Sequence, residues 1–136
     1  MAERVQGWPV WAITALALAA IGGGLAVTGG PMQGRVERRD DVRRSDIAAL
    51  ARQANCLSAA EGRADGELSA TALCPDPPRL DDPYTGTPYR VEPLDGRHMR
   101  LCAEFEQDED RLSRRWAYGL GEWQGGCVVI QLSQPG

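Results

Sequence analysis

The 136-residue sequence has no lysine, one histidine, one phenylalanine and four cysteines. Each shortage excludes something. A single histidine, His98, leaves little material for general acid–base chemistry, which needs a positioned partner. With Arg97 and Arg100 beside it and no serine or cysteine nucleophile motif nearby, His98 reads as a surface strand residue. The fifteen basic residues, all arginine, are outnumbered by nineteen acidic ones, for a net charge of −4. That balance argues against nonspecific nucleic-acid binding, in which a basic face displaces counterions from phosphates. There is no Cys-x-x-Cys and no paired histidine, so a structural zinc site lacks its ligand spacing. Gly22-Gly23-Gly24 is followed by no lysine and lies in an apolar run, so it is not a phosphate loop. No catalytic residue, metal, cofactor or small-molecule substrate is therefore indicated, and enzymatic activity is not expected.

Charge is also missing from one long stretch. No side chain between Val5 and Gly34 carries a formal charge, and residues 8–27 are almost wholly apolar. About twenty such residues, rising 1.5 Å each, cross the roughly 30 Å hydrocarbon core of a bilayer. Trp8 and Trp11 stand at one end, where indoles favour the headgroup boundary, and Pro9 falls in the first turn, where its missing N–H is harmless. The rival reading is a cleaved secretory signal. Against it, the run is long, the preceding charge is only Arg4 beside Glu3, and no Ala-x-Ala stands at its end. The organisation expected is a short tail at residues 1–7, a single transmembrane helix at 8–30, in contact with lipid, and a domain at 31–136.

Two features disagree about orientation. Arg35, Arg38, Arg39, Arg43 and Arg44 crowd the C-terminal flank of the apolar run, which by the positive-inside rule places the domain in the cytoplasm. Cys56, Cys74, Cys102 and Cys127 point the other way. They are an even number in a domain of about a hundred residues, a size at which disulfides supplement a small core. Free thiols and a metal site remain the alternatives. Disulfides require an oxidising compartment, so the domain is expected outside the cytoplasm.

The expected fold is α+β, with a helix after the membrane span packed on a small antiparallel sheet. Gly29-Gly30-Pro31 should interrupt the apolar helix. Over residues 36–60, Val42, Ile47, Leu50, Ala54 and Leu57 recur mostly at spacings of three and four, giving one core-facing stripe, and Gly62 is the stop. The charged residues between them, including Arg38, Asp41, Arg44, Asp46 and Arg52, read as a solvated face with local pairs such as Asp40 with Arg44. A short helical turn is expected at 68–73. Residues 89–92 and 98–105 alternate like strands joined through Leu94-Asp95-Gly96-Arg97, residues 104–115 form a charged excursion, and 127–132 make a last strand. This order suggests Cys102 with Cys127 on neighbouring strands and Cys56 with Cys74 across the connecting loop, among three possible connectivities.

Two exposed features remain. The acidic group Glu104, Glu106, Asp108, Glu109 and Asp110 lacks the ligand order of a calcium loop and reads as a solvated loop. Trp116, Tyr118 and Trp123, in a glycine-rich stretch, are candidate partner contacts, large amphipathic rings being favoured at interfaces. Their alternative role is to cap a core that has one phenylalanine.

A hydrophobic N-terminal helix, a polar helical continuation, and Asp82-Pro83-Tyr84-Thr85-Gly86-Thr87-Pro88-Tyr89 leading into a small sheet resemble the pseudopilins and pilin-like proteins of bacterial envelopes. Leu101-Cys102-Ala103-Glu104-Phe105 with the later Trp123, Gly126 and Cys127 also resembles outer domains of bacterial membrane proteins. The pilin-like resemblance implies a single-pass inner-membrane protein with a periplasmic domain that assembles with other membrane or envelope proteins in secretion. Gly7-Trp8 imitates a pilin-type processing site, but the fifth position after the cut is Ala12 where that family has glutamate. The other reading is an accessory subunit of an unrelated membrane complex that meets its partner through the tryptophan-rich loop.

Overall fold

In the computed structural model, residues 7–76, 78–115 and 120–135 are described, and the chain divides into two units, Met1–Val36 and Glu37–Gly136. The first unit is helical. Helix α1, Trp8–Thr28, has Pro9 in its first turn and no buried residue. Its 21 residues rise about 31 Å, long and apolar enough to cross a membrane. The Thr14 and Thr28 hydroxyls donate to the carbonyls of Val10 and Gly24, each at 2.8 Å, so both are satisfied within the helix. That is what hydrocarbon surroundings demand of polar groups. The helix ends where glycine was expected to end it. Gly29 turns left-handed at φ +81° and its N–H returns to Leu25 O at 3.1 Å. Helix α2, Gly30–Glu61, begins at once, and its residues up to Val36 belong to the first unit. The second unit thus starts at Glu37, somewhat beyond the residue-31 boundary read from the sequence.

In the second unit α2 lays Ile47, Leu50, Ala51, Ala54 and Leu57 into one core, while Val42 is half-buried. The helix stops at Gly62, whose φ of +65° lets its N–H reach Ser58 O. The sheet has the order β1-β2-β4-β3, all antiparallel, with β1 at Arg90–Pro93, β2 at His98–Cys102, β3 at Trp123–Gln124 and β4 at Cys127–Gln131. Register explains its two faces. Met99 opposes Ile130, and Leu101 opposes Val128 and Val91, so alternate residues meet α2 in the core. On the other face Arg100 opposes Glu92 and donates to its carboxylate at 3.1 Å. The fold is α+β, a helix on a small antiparallel sheet.

Several local expectations change. Residues 68–73 form no helix; Leu68 is buried in the core, and the loop is held by Gln53 Nε2, which donates to Ser69 O and Cys74 O. Strand β2 ends at Cys102 rather than continuing to Phe105. The charged excursion contains a helix, α3 at Glu109–Arg115, anchored by the buried Leu112. Asp-Gly does mark the β1–β2 turn, but not through left-handed residues: neither Asp95 nor Gly96 has positive φ. Instead Asp95 Oδ1 accepts from the N–H groups of Arg97 and His98 at 2.7 and 2.8 Å.

Candidate functional site

Carried backwards by threes and fours, the apolar stripe of α2 reaches Arg43 and Asp40, and both are buried. The solvated face read from the sequence is therefore wrong at Asp40, Arg43 and Asp46. Arg43 sits at the centre of three carboxylates. Its Nε donates to Asp82 Oδ2 at 2.6 Å, and its Nη1 to Asp40 Oδ1 at 2.9 Å and Glu106 Oε2 at 2.8 Å. Arg39, one turn earlier, forks onto the same Glu106 with two bonds of 2.7 Å. The Tyr84 ring lies 5.4 Å from the Arg43 guanidinium carbon, a cation–π contact.

Backbone groups complete the cluster. Asp40 accepts from the N–H groups of Glu106 and Gln107 at 3.0 and 2.9 Å, and Asp82 Oδ1 from Tyr84 N at 2.8 Å. The turn predicted at Asp82–Tyr89 is closed by Gly86 N donating to Asp82 O and Asp82 N donating to Thr87 O. One turn further along α2, Asp46 Oδ2 accepts from the Tyr89 hydroxyl at 2.7 Å and meets Arg79 at 3.3 Å. Helix α2 is thus tied through charge to two loops, 79–89 and 104–107, which also reach the hydrophobic core through Tyr89 and Phe105.

Electrostatics favour the ionised state of Arg43, Asp82 and Glu106. Burial would lower the Arg43 pKa, but the bonds to Asp82, Glu106 and Asp40 more than offset it and the net shift is upward. Burial likewise raises Asp82, yet the Tyr84 N–H and Arg43 hold it below the ordinary carboxylate range. Glu106 is held low chiefly by Arg39, then against burial by Arg43. Burial, then the bond to Asp46, pushes the Tyr89 phenol upward, so it remains a donor. Three carboxylates around one point are the donor set of a cation site, and here the cation is the Arg43 guanidinium. Among the described residues, no group of three or more His, Cys, Asp or Glu side chains could hold a metal ion.

The cysteines form Cys56–Cys74 and Cys102–Cys127, the pairing suggested by element order. Cys102 and Cys127 face each other in register with Cα atoms 4.1 Å apart, and Cys56 lies on α2 opposite the loop that carries Cys74. Of the aromatic contact candidates, Trp123 is only 6% exposed and meets Phe105 edge-on, with ring centroids 5.4 Å apart. It serves the core, which needs large rings, and not an exposed contact surface; Trp116 and Tyr118 lie outside the described residues. His98 stands at the β1–β2 hairpin with Nδ1 3.0 Å from Asp95 Oδ2. The acidic loop is not uniformly solvated either: Glu106 joins the Arg43 cluster, and Glu109 Oε1 accepts from Gly125 N at 2.9 Å. Comparison with known family models, curated sequences and solved structures gave no match.

Proposed function

We propose that this chain is a single-pass, membrane-anchored, non-enzymatic component of a bacterial envelope assembly, its second unit held in the periplasm. The observation that carries the reading is the pair of disulfides in a small α+β unit that follows an apolar helix with no buried side chain. Large apolar residues such as Ile13, Leu16 and Leu18, each more than 60% exposed, need a lipid or protein cover that water does not supply. Covalent closure of two loops compensates for the limited core of a domain this size, and it persists where thiols are oxidised. The polar cluster supports a scaffold role: its acceptors are taken by fixed donors, and its central cation stays charged at any physiological pH.

The pilin-like resemblance is kept as part of this proposal. The turn Asp82–Tyr89 is built into the scaffold by Arg43 and Asp46, and a helix on an antiparallel sheet is the architecture the resemblance implies. The test is membrane fractionation followed by intact mass measurement. Retention of the protein in carbonate-washed membranes with residues 8–28 still attached supports the anchor. A mature form lacking those residues, released into the soluble fraction, contradicts it.

A further inference from the structure

Each disulfide joins one covered cysteine to one that keeps open surface. Cys102 and Cys74 are 3% and 1% exposed, whereas their partners Cys127 and Cys56 are half-buried. A thiolate that attacks a disulfide must reach one of its sulfurs, and the groups around that sulfur decide how well negative charge is received there. The two open ends differ. Arg90 Nη2 donates to Cys127 Sγ at 3.8 Å, from a side chain that is 68% exposed, and its other terminal nitrogen meets Glu92 only at 3.9 Å. A guanidinium so placed attracts an incoming thiolate and favours the thiolate of Cys127 once the bond is broken. Cys56 Sγ instead has the carbonyl oxygen of Leu73 at 3.8 Å, the negative end of a dipole. Arg52 borders the hollow beside Cys56 and Cys74 without a hydrogen bond to either sulfur.

The two bridges also differ in what remains when they open. Cys102 and Cys127 oppose each other in the β2–β4 ladder, which pairs five residues of each strand and continues through Ala103 N donating to Gly126 O at 3.0 Å. The ladder keeps the two side chains side by side whether or not the sulfurs are joined. Cys56–Cys74 ties α2 to residues 68–76, which pair with no strand, so its opening releases a loop. Arg90, Cys102, Gly125 and Gly126 border an open groove of about 590 Å³, which leaves room for a thiol beside the first bridge.

We propose that Cys102–Cys127 is a thiol-exchange site, with Cys127 the sulfur attacked, Arg90 the cation that guides the attacking thiolate, and Cys102 the resolving thiol. The lone pair of the incoming thiolate forms a new S–S bond to Cys127 Sγ as the bond to Cys102 breaks. The released electron pair passes to Cys102 Sγ, which takes a proton from water. A second thiolate then attacks the incoming sulfur, leaving as a disulfide with it and freeing Cys127 beside Arg90; the two thiols are oxidised and the bridge is reduced. This goes beyond the assembly-component reading and does not rest on it, because the chemistry needs only the folded second unit.

The test uses the full chain in detergent micelles with both disulfides intact. It is exposed to limiting 2-mercaptoethanesulfonate, quenched with acid at intervals, alkylated and mapped by mass spectrometry. Cys102–Cys127 should open about tenfold or more faster than Cys56–Cys74, with the thiol adduct on Cys127 and the alkyl label on Cys102. Arg90→Gln should slow that opening several-fold and leave the Cys56–Cys74 rate unchanged, while Arg90→Lys keeps most of the rate. Arg90 is exposed, so neither variant should change the near-ultraviolet circular dichroism. The peptide acetyl-Gly-Cys-Gly-amide separates the sources of the thiol: with the same selectivity, faster exchange than the small reagent assigns the site to a partner's cysteine, and slower exchange to a small-molecule thiol. Equal rates for the two bridges, prior opening of Cys56–Cys74, an adduct on Cys102, or an unchanged rate in Arg90→Gln overturns the proposal.

Discussion

Replacing Arg43 with methionine removes the charge at the centre of the cluster while keeping side-chain length. Asp40 and Asp82, 0% and 3% exposed, are then left as buried carboxylates without the guanidinium they share. Three charge-assisted bonds disappear, each worth about 1.5–3 kcal/mol in isolation. The losses do not add. Asp40 keeps the N–H groups of Glu106 and Gln107, Asp82 keeps that of Tyr84, and Glu106 keeps Arg39. The expected cost is that of breaking a buried ion pair from one side, about 3–5 kcal/mol. For a folded unit of this size that lowers the melting midpoint by on the order of 20 °C. The assay is urea unfolding of the full chain in detergent with disulfides intact, followed by near-ultraviolet circular dichroism. A triple variant, Arg43→Met with Asp40→Asn and Asp82→Asn, should regain part of the loss, because no unpaired charge stays buried. A cost below about 1 kcal/mol for Arg43→Met, the range of exposed ion pairs, would refute the reasoning.

Acid should act through the same residues. Asp82 and Glu106 titrate below their ordinary values in the folded protein, so their stabilisation is complete above unfolded values of about 3.9 and 4.3 and is lost as pH falls below them. Urea midpoints should therefore fall steeply below about pH 4, and Arg43→Met should flatten that fall; an unchanged acid limb would remove the cluster from the explanation. Each disulfide closes a short loop, with separations of 18 and 25 residues, and the double substitutions Cys56→Ser/Cys74→Ser and Cys102→Ser/Cys127→Ser should each cost about 3 kcal/mol. Non-reducing peptide mapping should find only those two linkages. Gly126 has φ +76° and a Cβ built there meets Ala103 O at 2.5 Å, whereas Gly125 at φ +58° opens into free space. Gly126→Ala should thus destabilise by clearly more than Gly125→Ala, whose cost is only the roughly 1–2 kcal/mol of a left-handed residue; equal costs in urea unfolding would contradict the close approach.

Residue pattern made the helices α1 and α2, the main strands and the cysteine pairing legible, because each rests on local periodicity or on chain order. Ile47, Leu50, Ala54 and Leu57 announce a buried face by their apolarity alone. Asp40 and Arg43 lie on the same stripe at the right spacing, but their burial depends on Asp82 and Glu106, some 40 and 60 residues away, which no local pattern reveals. Asp40 with Arg44 and Asp40 with Arg43 are equally good pairs on paper; the observed bond goes to Arg43, which points to the core side. The stripe itself was the available signal: a charged pair falling on an apolar repeat asks for a buried partner elsewhere. Helix α3 was hidden because Leu112 is the one buried apolar residue in a run of charges. Trp123 looked like a contact residue because glycine and polar neighbours surround it in sequence, whereas pairing with Val128 turns it toward Phe105 and the core.

The proposed placement, a membrane anchor with the disulfide-closed domain outside the cytoplasm, is open to a direct test. Intact cells labelled with a membrane-impermeant maleimide, with and without a mild reductant, test side and redox state together when the protein is then weighed by mass spectrometry. The expected result is no label without reductant and labelling of the four cysteines in intact cells once the disulfides are reduced. Labelling that needs cell lysis but no reductant would mean free cytoplasmic thiols, and would contradict both the orientation and the covalent framework.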